Sequence, residues 1–209
     1  MKKLYVFLII LALLPTFANA AKPKDVPEDL YVKEQVERFF KTTVTLQADF
    51  TQIDSQGNVS GGKFLLKRPG KFRWEYDKRQ PLLIISNGDR LVYRDKELDE
   101  TTYVSAEDTL ASFLARDEVR LEGDITLHEA FIDGDYMKVI ISLTDKPDDG
   151  KLAFYFDTKD MNLLAMDVID SADYKTKIKF THQVYGQEIA NNNFIYQDPK
   201  LKKNIWEKK

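Results

Sequence analysis

Gly61-Gly62-Lys63-Phe64-Leu65-Leu66-Lys67-Arg68-Pro69-Gly70-Lys71-Phe72-Arg73-Trp74-Glu75-Tyr76 reads with period two. Phe64, Leu66 and Arg68 share one face, and Lys63, Leu65 and Lys67 share the other. Pro69-Gly70 interrupts the pattern as a turn does. The alternation resumes with Phe72, Trp74 and Tyr76 opposite Lys71, Arg73 and Glu75. The stretch therefore predicts two amphipathic strands joined at Pro69-Gly70. Arg68 is the exception: it ends an apolar row, where a guanidinium needs a rim position or acceptors of its own.

Working outward, residues 27–40 change to a helical period. Val32, Val36, Phe39 and Phe40 form one stripe, and Pro27 ahead of Glu28 and Asp29 suits a helix start. Leu46, Ala48, Phe50 and Gln52 then share a strand face. After the central pair come residues 82–85, a Ser86-Asn87-Gly88-Asp89 hairpin signal, and Leu91 and Tyr93 in alternation. Residues 105–117 break the β pattern. Ser105 with Asp108 resembles a weak capping box, and Leu110, Phe113 and Leu114 make one stripe, which predicts a short amphipathic helix between strands. The remainder reads as strands. Met137, Val139 and Ile141 alternate, then Leu152, Phe154 and Phe156; Met166 and Val168 point inward; Tyr174, Thr176, Ile178 and Phe180 oppose three lysines. His182 continues that row as a strand-end residue. Short strands with one wet face each predict an antiparallel meander.

Residues 1–20 carry the signature of a secretory signal: Lys2 and Lys3, an apolar run over 4–14, and Ala18-Asn19-Ala20 as the cleavage site. The rest, residues 21–209, is expected to form a single exported, monomeric domain. A formal charge of −3 argues against a general nucleic-acid binder. With no cysteine, the chain has no disulfide, no thiolate metal site and no lipid-modified cysteine.

No nucleophile elbow, dinucleotide fingerprint or phosphate loop is present. His128 and His182 lack partners at metal-ligand spacing, so neither an enzyme site nor a metal or cofactor is expected. What remains is a large aromatic and aliphatic β face. One reading is an ordinary core. The other is a hollow half-barrel under a movable lid, since one short helix is little cover for a curved sheet.

The chain resembles the family of periplasmic outer-membrane lipoprotein carriers. The resemblance rests on Phe50-Thr51-Gln52, the glycines 61 and 62, Lys67-Arg68-Pro69 with Phe72 and Trp74, and Ser86-Asn87-Gly88. It implies a mainly β fold: an incomplete antiparallel β-barrel with an N-terminal helix and a short lid helix covering an apolar cavity. Its cargo would be acylated lipoproteins. Its partners would be an ATP-driven releasing complex of the inner membrane and either an outer-membrane acceptor lipoprotein or the outer membrane itself. The family role of a lid latch maps onto Arg68, and Phe72 matches a position tied to transfer. The acyl-chain cavity is expected from Phe50, Phe64, Leu66, Phe72, Trp74, Tyr76, Leu91, Tyr93, Leu110, Phe113, Leu114, Met137, Val139, Ile141, Phe154, Phe156 and Met166. Val92 stands where many relatives place tryptophan. A second reading is an exported lipid- or glycolipid-binding protein with the same half-barrel. Two further classes are an exported hydrolase with an unrecognised carboxylate site and a sensor of mislocalised lipoproteins.

Overall fold

A computed structural model describes residues 26–78, 81–105 and 110–198, with side chains from residue 113 onward in the last range. The signal residues 1–20 and the basic tail 201–209 lie outside the described residues.

One helix, α1 (Glu28–Thr42), precedes eleven strands. These are β1 (Thr45–Ile53), β2 (Val59–Lys67), β3 (Lys71–Tyr76), β4 (Leu82–Asn87), β5 (Arg90–Asp95), β6 (Glu100–Ser105), β7 (Ile125–Asp133), β8 (Tyr136–Leu143), β9 (Lys151–Asp157), β10 (Leu163–Ile169) and β11 (Lys175–Tyr185). They form a single antiparallel sheet in the order β6-β5-β4-β3-β2-β1-β11-β10-β9-β8-β7. The β1–β11 pairing joins two meanders, and β6 and β7 are the open edges. The sheet is therefore an unclosed barrel, as the alternation and the resemblance led one to expect.

The alternation decides which face is buried. Phe64, Leu66, Phe72 and Trp74 lie inward, with Lys63, Leu65, Lys67, Arg73 and Glu75 outward. Gly62 leaves room on the inner face opposite Tyr76, and a Cβ there would lie 2.0 Å from the Glu75 carbonyl oxygen. α1 buries Tyr31, Val32, Val36, Phe39 and Phe40, the predicted stripe plus one tyrosine. Phe39 meets Phe156 at 4.9 Å between ring centroids, and Phe40 meets Phe154 at 5.8 Å. Edge strand β7 is shielded by the helix, where the Ile132 N–H donates to Glu28 Oε1 at 3.1 Å.

Three expectations need correction. The segment between the edges is a 3-10 helix, Leu110–Ala115, and Ser105 ends β6 instead of capping a helix over 105–117. Residues 106–109, including the expected capping Asp108, lie outside the described residues. This crossing segment lies within the connection from β6 to β7, residues 106–124, and six residues is a long run for 3-10 winding. His182 is not a strand-end residue: β11 runs on to Tyr185. A register shift opposite Gln47 and Asp49 puts His182 at φ 51, so its ring turns outward to Asp49 Oδ2 at 2.9 Å.

The outer face has a smaller core of its own. The turn Asn191–Phe194 lays Phe194, 1% exposed, beside Ile85 and Val92. Lys67 Nζ donates to the Ile189 carbonyl at 2.7 Å and Arg73 Nη1 to the Asn193 carbonyl at 3.1 Å, strapping this segment down. Val92 therefore belongs to the outer layer, where a larger ring would compete with Phe194 for space.

Candidate functional site

Arg68 sits at the end of β2, and its side chain is carried inward by the phase of Phe64 and Leu66. It is 8% exposed. Its Nε donates to the Leu114 carbonyl at 2.8 Å, and its Nη1 donates to the Phe40 carbonyl. The guanidinium carbon lies 4.8 Å from the centre of the Phe40 ring. One cation thus ties the C-terminal turn of α1, where the helix dipole favours positive charge, to the crossing segment. Nη2 is buried with no acceptor among the described residues. Burial pulls the Arg68 pKa down to about 10, which leaves it cationic at neutral pH.

The neighbouring turn repeats the grip. The Gly70 N–H donates to the Ala115 carbonyl at 2.6 Å, and the Ser86 hydroxyl donates to the Gly70 carbonyl at 2.6 Å. Two successive carbonyls of the crossing segment are therefore held by the β2–β3 turn. Phe113 fills the space beneath, with its ring 5.3 Å from Phe40 and 5.5 Å from Phe154. The segment packs on the inner face of the sheet, is fixed by two hydrogen bonds at its C-terminal end, and buries Phe113, Leu114 and Ala115.

Beside this segment lies a largely apolar cavity of about 230 Å³. Its wall comes from Gln52 of β1, Trp74 and Tyr76 of β3, and Ile84 of β4. Leu152, Met166 and Val168 close it from β9 and β10, Thr176 and Ile178 from β11, and Leu114 from the 3-10 segment. Most of these positions are near the ends of β1, β3 and β10 or the starts of β9 and β11, so the cavity lies toward the end of the sheet away from Arg68. Tyr76 donates its hydroxyl to Gln52 Oε1 at 2.7 Å, and burial pushes its pKa up to about 12.

The expected cavity residues divide. Trp74, Tyr76, Leu114 and Met166 line it. Phe50, Phe64, Leu66, Phe72, Leu91, Phe113, Met137, Val139, Ile141, Phe154 and Phe156 belong to the packed core around it. Tyr93 is 43% exposed and belongs to neither. The Leu110 side chain lies outside the described residues. Gln52, Ile84, Leu152, Val168, Thr176 and Ile178 were not anticipated as wall. All but Ile84 continue an alternation already visible, two residues from a named neighbour or within the same row. Ile84 sits in the run 82–85, where alternation is hidden by continuous apolar residues.

Among the described residues no three metal-capable side chains come together, and no helix is long and apolar enough to cross a membrane.

Residues 41–197 match the family described as "Outer membrane lipoprotein carrier protein LolA". An outer-membrane lipoprotein carrier protein of Methylococcus capsulatus is 31% identical over 203 residues, covering 92% of this chain and 93% of the relative. One of the same description from Dechloromonas aromatica is 31% identical over 198 residues, covering 90% and 89%. Among solved structures, an uncharacterized conserved protein from Thermus thermophilus shares the fold at a TM-score of 0.51 and 9% identity, covering 81% of this chain and 94% of that one.

Proposed function

Since the chain belongs to the LolA family of outer membrane lipoprotein carrier proteins, we propose that it is a periplasmic chaperone for the acyl chains of lipoproteins. In this reading it receives cargo from an ATP-driven complex of the inner membrane. It delivers that cargo to an acceptor lipoprotein of the outer membrane, or to that membrane itself. Residues 1–20 direct export and are removed, and residues 21–209 act as one monomeric carrier domain with Arg68 as lid latch.

The observation that carries the proposal is an apolar cavity beside a segment whose Leu114 carbonyl accepts from one buried cation. Each methylene buried is worth about 0.8 kcal/mol, so a chain of around fifteen gains roughly 12 kcal/mol of gross driving force. A soluble carrier must match that without exceeding it, or cargo would never leave. The cavity of about 230 Å³ is below the roughly 300–1,000 Å³ typical of ligand pockets. In this reading the described state is the closed one, and acyl chains enter by displacing Phe113 and Leu114. Closure then competes with cargo. The Arg68 bonds to Leu114 and Phe40 favour the empty state by roughly 1–3 kcal/mol, which biases the carrier toward unloading.

The test is direct. Purified protein, freed of detergent, is mixed with a triacylated lipopeptide and passed over a sizing column. A soluble one-to-one complex is expected. Lipopeptide that stays micellar beside unliganded protein would remove the basis of the proposal.

A further inference from the structure

An alkyl chain offers nothing to a hydrogen-bond donor, yet the cavity wall holds several. Tyr76 donates to Gln52 Oε1 at 2.7 Å, which fixes the Gln52 amide and turns its Nε2 away from the phenol. The Gln52 Nε2 group has no partner among the described residues. Trp74 lines the same cavity at 6% exposure, and its indole N–H also lacks an acceptor among the described residues. Thr176 brings a hydroxyl to the same wall. Trp74 and Tyr76 share a face two residues apart, and the Phe50 ring packs against both, at 4.9 and 5.0 Å between centroids. The donors are therefore neighbours. Neither nitrogen is among the fully buried unpartnered atoms of the described residues, so each keeps accessible surface and can meet an acceptor that enters the cavity. A wall evolved only for methylenes gains nothing from these side chains.

We infer that the Gln52 amide, oriented by Tyr76, and the Trp74 indole N–H form a polar seat for the carbonyl groups that join acyl chains to their glyceryl headgroup. The inference rests on the acyl-carrier reading above and adds to it a chemical class of recognised group: an ester carbonyl, acceptor only. Chains lie along the apolar wall of Ile84, Met166 and Ile178, and the linkage stops at the donors. The seat sits toward the strand ends, so the headgroup of a bound anchor remains near the end of the sheet. Depth of insertion is thereby set by the linkage, and a bare hydrocarbon is held less well than an acyl ester.

The experiment compares ester with ether. The full chain is titrated with a diacylglyceryl lipopeptide and its dialkyl ether counterpart of equal chain length. The same pair is made on a phospholipid scaffold, which separates the two sources of such an ester. The wild-type protein is expected to prefer ester over ether about three- to tenfold. A preference on both scaffolds assigns recognition to the shared carbonyl; a preference on the lipopeptide alone assigns it to that anchor. Gln52→Leu and Trp74→Phe are each expected to bring the ratio toward one. Because the ratio is internal to each variant, a general loss of folded protein lowers both arms and leaves it intact. Equal binding of ester and ether by the wild type, or ratios unchanged in both variants, overturns the seat and leaves the carrier reading standing. Failure of the wild type to bind any of the four lipids overturns both.

Discussion

Arg68 Nε lies 2.8 Å from the carbonyl oxygen of Leu114, forty-six residues further along the chain, and the same guanidinium reaches the Phe40 carbonyl at the end of α1. A lysine offers its three donors from a single nitrogen and lacks the planar fork, so it cannot reproduce bonds made from two separate nitrogens. Arg68→Leu is expected to fold and load a lipopeptide, then release it to acceptor vesicles several-fold more slowly than wild type. Arg68→Lys is expected to fall between. Transfer of a fluorescent lipopeptide to vesicles measures this, and wild-type release rates in Arg68→Leu would count against the latch.

The turn beside the latch is as constrained as the latch. Gly70 has φ 76, and a Cβ on it would come within 2.6 Å of the Gly88 Cα. Gly57 has a similar φ of 84 but open space around the added atom. The pair separates backbone strain from steric clash. Gly57→Ala should cost about 1 kcal/mol, the left-handed penalty alone. Gly70→Ala should cost roughly 2–4 kcal/mol, because backbone must move as well. Urea unfolding midpoints give both values, and equal losses would mean that the Gly70–Gly88 approach is not rigid.

Legibility in the sequence followed burial. α1 and the inner rows of β1, β2, β3, β8, β9 and β11 were readable because one face of each is apolar and the other is not. Strands β6 (Glu100–Ser105) and β7 (Ile125–Asp133) were not anticipated, and these are the two edges of the sheet. An edge strand has neighbours on one side only, and β6 keeps five of its six residues exposed, so selection does not impose alternation on it. Arg68 stood out because a charge at the end of an apolar row has few explanations. The cavity was harder to read. Phe64 and Trp74 have the same pattern in the sequence, yet only Trp74 borders empty space. Which inward residues touch a void depends on where the lid crosses, and alternation along a strand carries no record of that.

Tyr76 gives the site a signature in alkali. Burial raises its pKa to about 12 from an ordinary value near 10. The folded chain therefore holds this proton more tightly than the unfolded chain does. The stabilisation is fully present below pH 10 and is lost as pH rises from about 10 to about 12. Two units correspond to on the order of 2–3 kcal/mol. Arg68 works in the opposite direction, since burial lowers its pKa to about 10 and favours its neutral form as pH rises. A difference between variants isolates the tyrosine. Tyr76→Phe should lose less stability than wild type between pH 10 and 12, by about that amount, in thermal unfolding followed across pH. Parallel pH curves for the two proteins would mean that water reaches the phenol.

Phe113 and Phe156 are both fully buried aromatics, yet the proposed lid would give them different roles. Phe113 stacks on Phe154 at 5.5 Å and meets Phe40 at 5.3 Å, and in the proposed opening it would leave these partners. Phe156 belongs to β9 and packs on Phe39 of α1 at 4.9 Å, a contact outside the segment proposed to move. Deleting a buried phenyl ring costs roughly 3–5 kcal/mol where the surroundings cannot collapse. For Phe156→Ala this loss falls on the whole fold, so the unfolding midpoint drops and cargo affinity gains nothing. For Phe113→Ala the loss falls on the closed state in particular. A closed state that competes with cargo suppresses the apparent affinity by the fraction of molecules held shut. Weakening it should therefore raise lipopeptide affinity, on the order of tenfold, while protease or hydrogen-exchange protection of residues 113–116 declines. Weaker binding by Phe113→Ala would instead place that ring against the acyl chain, and lid and cargo would then be partners, not competitors.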